Sequence, residues 1–235
     1  MPRVKTGVLV HGCHLDAYDW RGIVWGYPDV GDLGRAPKGV LIACQEQADM
    51  IVFGTGASER MVDRDGARRA MKEGEYTLDY LLRHFEELAD FPAFGKLDLA
   101  ALRKQIESTA RAESRSQNTR EEVIEAAELF LENGIERMIL VSSPTHISRC
   151  VRDAYTALES DRFARLRHQL FATPSDSSYL GSRAEDVVIF EPPHRADRHS
   201  APIHLNVSRI LRIPPAELGD FLKRLDRILQ EDFRV

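Results

Sequence analysis

What the chain lacks already excludes several functional classes. Its three cysteines, Cys13, Cys44 and Cys150, are odd in number and show no C-x-x-C spacing. Neither a disulfide framework nor a zinc knuckle fits that pattern, and the reduced thiols it implies point to the cytoplasm. No apolar run approaches the ~20 residues of a membrane span. The N-terminal apolar run reaches His11-Gly12-Cys13-His14 too soon to serve as a signal peptide. Excess positive charge is missing too. The formal net charge of −5 argues against nucleic acid as a partner, because phosphate neutralisation needs a basic face. Two basic runs, Arg60 to Arg69 and Arg162 to His168, are flanked by acids and read as solvated helix faces.

What is present is an alternation of strand and helix along 235 residues, without repeat, low-complexity tract or linker. It predicts a single α/β domain: a three-layer α/β/α sandwich with a mostly parallel, Rossmann-like sheet. Gly7–His11 and Met50–Phe53 are short apolar runs of the kind buried on both faces of a sheet. Between them, Gly12–Gly34 reads as a long functional loop with Trp20, Trp25 and Tyr27, and Arg35–Ala48 as a helix with Pro37 in its first turn. The pattern from Asp65 to Ala89 predicts helix in two pieces broken near Gly74. After a turn at Phe91–Lys96, Asp98 caps a short helix through Ile106, and a strand lies near Ala110–Ala112. Thr119–Asn133 is the clearest helix, with Thr119 and Glu122 as a capping box. Arg137–Ser142 is a central strand, and helix resumes from Thr145 to Glu159. Leu166–Phe171 and Val187–Phe190 read as further strands, Thr173–Gly181 and Pro192–Pro202 as loops, and Leu218–Phe233 as an amphipathic helix that packs on the sheet.

Ligands of open α/β sheets sit beyond the carboxyl ends of the strands. Four such ends carry polar or small residues: His11-Gly12-Cys13-His14, Gly54-Thr55-Gly56-Ala57-Ser58, Glu113 with Ser114, Ser116, Asn118 and Thr119, and Ser142-Ser143 with Thr145 and His146. Small residues let backbone amides approach an anion, and the following helix offers its positive end. Yet Gly54–Ser58 has no G-K-[ST] and lacks the third glycine of a dinucleotide fingerprint. His146, near a helix start, should be neutral and able to act as general acid or base. Arg149, one turn later, can reach an anion or pair with Glu113. A carboxylate such as Glu113 at a strand end can bind a ribose or activate a hydroxyl, and Glu59 and Glu75 are further candidates for acid or base work. Asn118 and Thr119 also have helix-start duties. His11, Cys13 and His14 raise the question of a metal site with His194, His199 and His204. No H-x-x-x-H spacing supports one, so no metal ligands are assigned. Cys13 as a nucleophile lacks an assignable orienting acid.

In their order and spacing these elements resemble the YdcF/SanA/ElyC family, a domain of unknown function. That family shows a glycine-containing turn after its first strand, an Arg-initiated helix, a strand ending in S-G-G and a characteristic acid. E-x-x-S-x-N-T-x-E-N and V-T-S-x-x-H-x-x-R follow. Here the turn is similar to His11-Gly12-Cys13, the helix begins at Arg35, the second strand ends Phe53-Gly54-Thr55-Gly56, and the acid corresponds to Glu75. Glu113 through Thr119 match the next motif, with Glu122 where the family usually has Asn. Val141 through Arg149 match the last, with Ser142 in place of Thr. The likeness extends over about two thirds of the chain. It implies a pocket among these elements. The SanA/ElyC kind carries an N-terminal membrane segment and acts in envelope biogenesis. No such segment is read here, so the chain looks like the soluble YdcF kind, which has been associated with nucleotide-like ligands such as S-adenosylmethionine.

The resulting expectation is a cytoplasmic enzyme, a hydrolase or transferase, acting on a small anionic or nucleotide-like substrate. Arg35, Gly54–Ser58 and Arg149 hold the anion, Glu113 and Glu75 orient a polar group, and His146 is general acid and base. Small molecules, rather than nucleic acid or membrane, are the expected partners. Two alternatives stay open: a module that binds or senses a nucleotide-like metabolite without turnover, and a methyltransferase.

Overall fold

The computed structural model describes residues 3–64, 67–177 and 214–232. The chain runs through β1 (Thr6–Val10), α1 (Trp20–Val24), the two-residue strands β2 (Gly26–Tyr27) and β3 (Asp32–Leu33), α2 (Arg35–Gln45), β4 (Met50–Phe53), β5 (Glu59–Arg64), β6 (Ala67–Lys72) and α3 (Glu73–Arg83). It continues with α4 (Leu99–Thr109), β7 (Ala110–Ala112), α5 (Thr119–Glu132), β8 (Arg137–Ser142), α6 (Pro144–Ala157), α7 (Ala164–His168) and β9 (Leu170–Pro174). Two compact units divide the chain, Met1–Val188 and Ile189–Val235. The described part of the second is helix α8 (Pro215–Asp232). Among the described residues no helix is long and apolar enough to cross a membrane.

The central sheet is all parallel, in the order β7-β4-β1-β8-β9. Its three inner strands are continuously apolar because each must fill two cores at once. Val8, Val10, Ile51, Phe53, Ile139 and Val141 project into one hydrophobic layer, with α2, α3 and α4. The intervening Leu9, Met50, Val52, Met138 and Leu140 project into the other, with α5, α6 and α7. That period-two division between two apolar faces makes the molecule a three-layer α/β/α sandwich. From β1 the chain builds outward through β4 to β7, then returns across β1 to β8 and β9. The reversal leaves a crevice beyond the carboxyl ends of β1 and β8, where open α/β sheets place their ligands.

Three expectations need correction. Residues after Glu59 form an antiparallel hairpin, β5 paired with β6 from Glu59↔Lys72 to Arg64↔Ala67, and helix begins only at Glu73. The Asp65-Gly66 dipeptide between the paired ends is a hairpin signal that outweighs the helical spacing of the charges. Consequently the basic run Arg60 to Arg69 lies on this hairpin and not on a helix face. Gly12–Gly34 is no open loop either. Trp25 is fully buried, and its ring meets Tyr80, His84 and Phe91 edge-on, while Trp20 meets Tyr76 and Tyr80. Trp20, Ile23, Val24, Trp25 and Leu33 of this segment thus belong to the α2–α3–α4 core. Lastly, the chain stays helical to His168, so β9 starts at Leu170 instead of Leu166. The predicted strand Val187–Phe190 and loop Pro192–Pro202 lie outside the described residues.

Candidate functional site

A cleft of about 560 Å³ opens at this crevice. Its floor is the end of β1. His11 is buried, and its Nδ1 lies 2.7 Å from Glu122 Oε2; the other oxygen of Glu122 accepts the Gly12 N–H at 2.7 Å. Glu122 therefore does not belong to a capping box. Asn118 is the N-cap of α5, its Oδ1 accepting the Glu121 N–H at 3.0 Å while its amide donates to Glu121 Oε1 at 2.7 Å. With the cap one residue earlier than Thr119, Glu121 takes the third helical position and Glu122 turns inward to the sheet. Burial by itself would push the His11 imidazole down. The sulfur of Cys150 and the Glu122 carboxylate outweigh it and raise the pKa from 6.5 to about 10. The group beneath the cleft is an imidazolium.

Cations form one wall. Arg35 begins α2 and is 3% exposed. Its guanidinium donates to the carbonyls of His11 and Gly12 and, at 2.6 Å, to Ser143 Oγ. All three acceptors are neutral, its Nε is buried without a partner, and among the described residues it has no ion pair. Arg149, on α6, is exposed and lines the same cleft. The N-termini of α5 and α6, each 14 residues long, reach the cleft at Asn118 and Thr119 and at Thr145 and His146, adding the positive ends of two helix dipoles.

His146 stands among these charges. Arg149 Nη2 lies 2.6 Å from its Nε2, and Ser142 Oγ lies 2.9 Å from its Nδ1. A guanidinium only donates, so Nε2 is the acceptor and Nδ1 carries the proton toward Ser142. Thr119 Oγ1 is 3.4 Å from Nε2, and Cys150 Sγ is 3.5 Å from Nδ1. Burial, followed by Arg35, His11 and Arg149, pushes the His146 pKa down to about 2. The ring is neutral, as expected of it, but desolvation and three neighbouring cations are the reason.

A carboxylate also lines the cleft. Glu73, 5% exposed, opens α3, and its Oε1 accepts from Ser58 N at 3.2 Å and Ser58 Oγ at 2.5 Å. Gly12 and Gly56 are glycines because these acids press against them. A Cβ on Gly12 would lie 2.7 Å from Glu73 Oε2 and 3.0 Å from Glu122 Oε1, and one on Gly56 would lie 2.9 Å from both Glu73 oxygens. Gly54 is constrained in the same way by Glu122, at 2.5 Å.

Of the residues singled out from sequence, Gly12, Cys13, Arg35, Thr55, Gly56, Asn118, Thr119, His146 and Arg149 line the cleft. His11, Ser142 and Ser143 stand directly behind them as partners of Glu122, His146 and Arg35. Glu113 is placed otherwise. One of its oxygens accepts the backbone N–H groups of Arg115 and Ser116, the other lies against Ser116 Oγ, and that hydroxyl is also 2.9 Å from the Thr55 carbonyl. Glu113 and Ser116 thus hold the loop before α5 instead of facing a substrate. Glu75 is not brought to the cleft. Its Oε2 accepts the Lys72 N–H at 3.0 Å as part of the α3 cap, and its side chain lies beside Arg69, Met71 and Leu78. Helical geometry explains the difference, since two residues along a helix turn a side chain through about 200°, and Glu73 is the acid that points inward. Sequence reasoning passed over Glu73, Glu122 as a site residue, and Cys150. The spacing of Glu122 after Asn118 was the available signal. Among the described residues no cluster of three or more His, Cys, Asp or Glu side chains is arranged to hold a metal ion; His194, His199 and His204 lie outside them. Comparison with family models, curated proteins and solved structures finds no match for the chain.

Proposed function

We propose that this protein is a cytoplasmic enzyme that binds a small anionic or nucleotide-like substrate in the cleft and acts on it by hydrolysis or group transfer. The observation that carries this reading is Arg35, a buried guanidinium with only neutral acceptors, facing a cleft shared with Arg149 and two helix N-termini. A buried cation without a compensating charge is costly, and an incoming anion supplies that charge. A phosphate or carboxylate would draw Arg149 from His146 Nε2 and offset the cations that suppress its basicity. His146 then takes the proton of a water or hydroxyl whose oxygen forms the new bond. The leaving oxygen keeps the electrons of the broken bond and receives that proton. Ser142 holds the ring by accepting from Nδ1–H.

The resemblance to the YdcF kind supports a nucleotide-like ligand, S-adenosylmethionine among them, and retains methyl transfer as one form of group transfer. In that form the broken bond is the sulfonium C–S bond, the leaving group is a neutral thioether and the proton taken by His146 passes to water. A purely binding or sensing role is the second reading. It is favoured by the low basicity of His146 before any ligand arrives. A thermal-shift panel of inorganic phosphate, nucleotides and S-adenosylmethionine, followed by product analysis, separates the two. Consumption of a stabilising ligand, lowered by about two to four orders of magnitude in His146→Ala, supports the enzyme. Ligands recovered unchanged support the sensor, and stabilisation by none of them overturns both.

A further inference from the structure

The cleft also holds a carboxylate without an ion-pair partner among the described residues. Glu73 is buried, lines the cleft, and makes no ion pair with any described residue. Ser58 occupies one of its oxygens twice, and Oε2 receives no hydrogen bond from a described residue. That free oxygen is the one nearest the Cβ position of Gly12, at 2.7 Å, while Arg35 donates to the carbonyl of the same glycine. Touching one residue from two sides, the guanidinium and the carboxylate lie within roughly 10 Å of each other. Beside Glu73 on the cleft wall, Thr55 is wholly buried and its hydroxyl has no partner. Glu73 Oε2 faces the cleft with an acceptor site that Ser58 leaves open, and a ligand donor placed there gains a charge-assisted hydrogen bond.

We infer that the ligand is bifunctional: a small molecule with an anionic group for Arg35 and Arg149 and, two or three bonds away, an ammonium or hydroxyl that donates to Glu73 Oε2. This rests on the anion-binding reading of the cleft and adds a second recognition point to it. Selectivity follows from the chemistry, because the cations reject no simple anion, whereas Glu73 repels any second negative charge brought to its end. Simple anions are then weak ligands, and compounds with anionic groups at both ends are excluded.

Isothermal titration calorimetry on the full chain with three phosphates that share a two-carbon chain tests this. Ethyl phosphate carries no donor at its far end, phosphoethanolamine carries an ammonium there, and 2-hydroxyethyl phosphate a hydroxyl. A charge-assisted hydrogen bond predicts at least one donor-bearing compound binding about tenfold to a hundredfold tighter than ethyl phosphate. Which of the two gains identifies the donor. Glu73→Gln retains an oxygen for Ser58 but not the charge, and brings the three affinities together. Gly56→Ala, which crowds both carboxylate oxygens, diminishes the same gain by a separate route. Equal affinities in the wild type, or a gain that survives in folded Glu73→Gln, would overturn the inference while leaving the anion site in place. Binding of none of the three overturns the anion site and this inference with it.

Discussion

Replacing Glu122 with glutamine removes a buried charge while keeping the side chain's volume. Glu122 is 4% exposed, and its two oxygens are committed to His11 Nδ1 and to the Gly12 N–H, each at 2.7 Å. The glutamine carbonyl can keep the bond to Gly12, but its amide then faces His11 and can be accepted only by an Nδ1 that has lost its proton. His11 has a folded pKa of about 10, above the ordinary value of 6.5, so between those pH values the native state holds one more proton than the unfolded chain. The stability contributed is therefore fully present below pH 6.5 and is lost as the pH rises toward 10, at up to about 1.4 kcal/mol per pH unit. Summed over the window this amounts to a few kcal/mol, comparable with the roughly 3–5 kcal/mol lost when a buried ion pair is broken from one side. Urea unfolding followed by circular dichroism from pH 6 to pH 9 measures it. The wild type should lose stability steeply across that range. Glu122→Gln, which no longer holds the His11 proton with a carboxylate, should start about 3 kcal/mol lower at pH 6 and fall along a shallower line. Parallel profiles, or a variant as stable as wild type at pH 6, would refute the imidazolium–carboxylate pair.

Two further substitutions test the glycine floor and the aromatic segment. Gly12→Ala places a methyl 2.7 Å from Glu73 Oε2 and 2.9 Å from the Gly54 carbonyl oxygen. It should lower stability by about 1–3 kcal/mol and abolish calorimetric phosphate binding, and wild-type values for both would show that the backbone there yields freely. Trp25→Ala empties a fully buried position ringed by Tyr80, His84 and Phe91. It should cost about 3–5 kcal/mol in urea unfolding, and a loss below about 1 kcal/mol would return the segment to the surface.

The architecture was legible because strands buried on both faces must be continuously apolar and short, and Gly7–His11, Met50–Phe53 and Arg137–Ser142 could hardly be anything else. The location of the site was legible for a related reason. Polar and small residues at the end of such a strand mark where its apolar run stops, so His11-Gly12-Cys13 and Ser142-Ser143 had to stand at the sheet's carboxyl end. Misreadings fell where helical spacing and turn chemistry compete, as in the Glu59–Lys72 hairpin. They fell also where a one-residue difference in the cap reverses a side chain's direction, as at Thr119 and Glu122.

Composition, period and order along the chain determined by themselves an α/β sandwich with polar residues at the ends of its inner strands. Which residues meet there was decided only by the tertiary structure. Helices α3 and α5 enter the crevice from opposite layers, and the rotation of each about its axis selects Glu73 over Glu75 and turns Glu122 inward. Packing against the sheet fixes that rotation. The same packing sets Glu122 and Cys150 beside His11 and sets Arg35 and Arg149 beside a largely desolvated His146, which makes one histidine cationic and the other neutral although the two share an ordinary pKa.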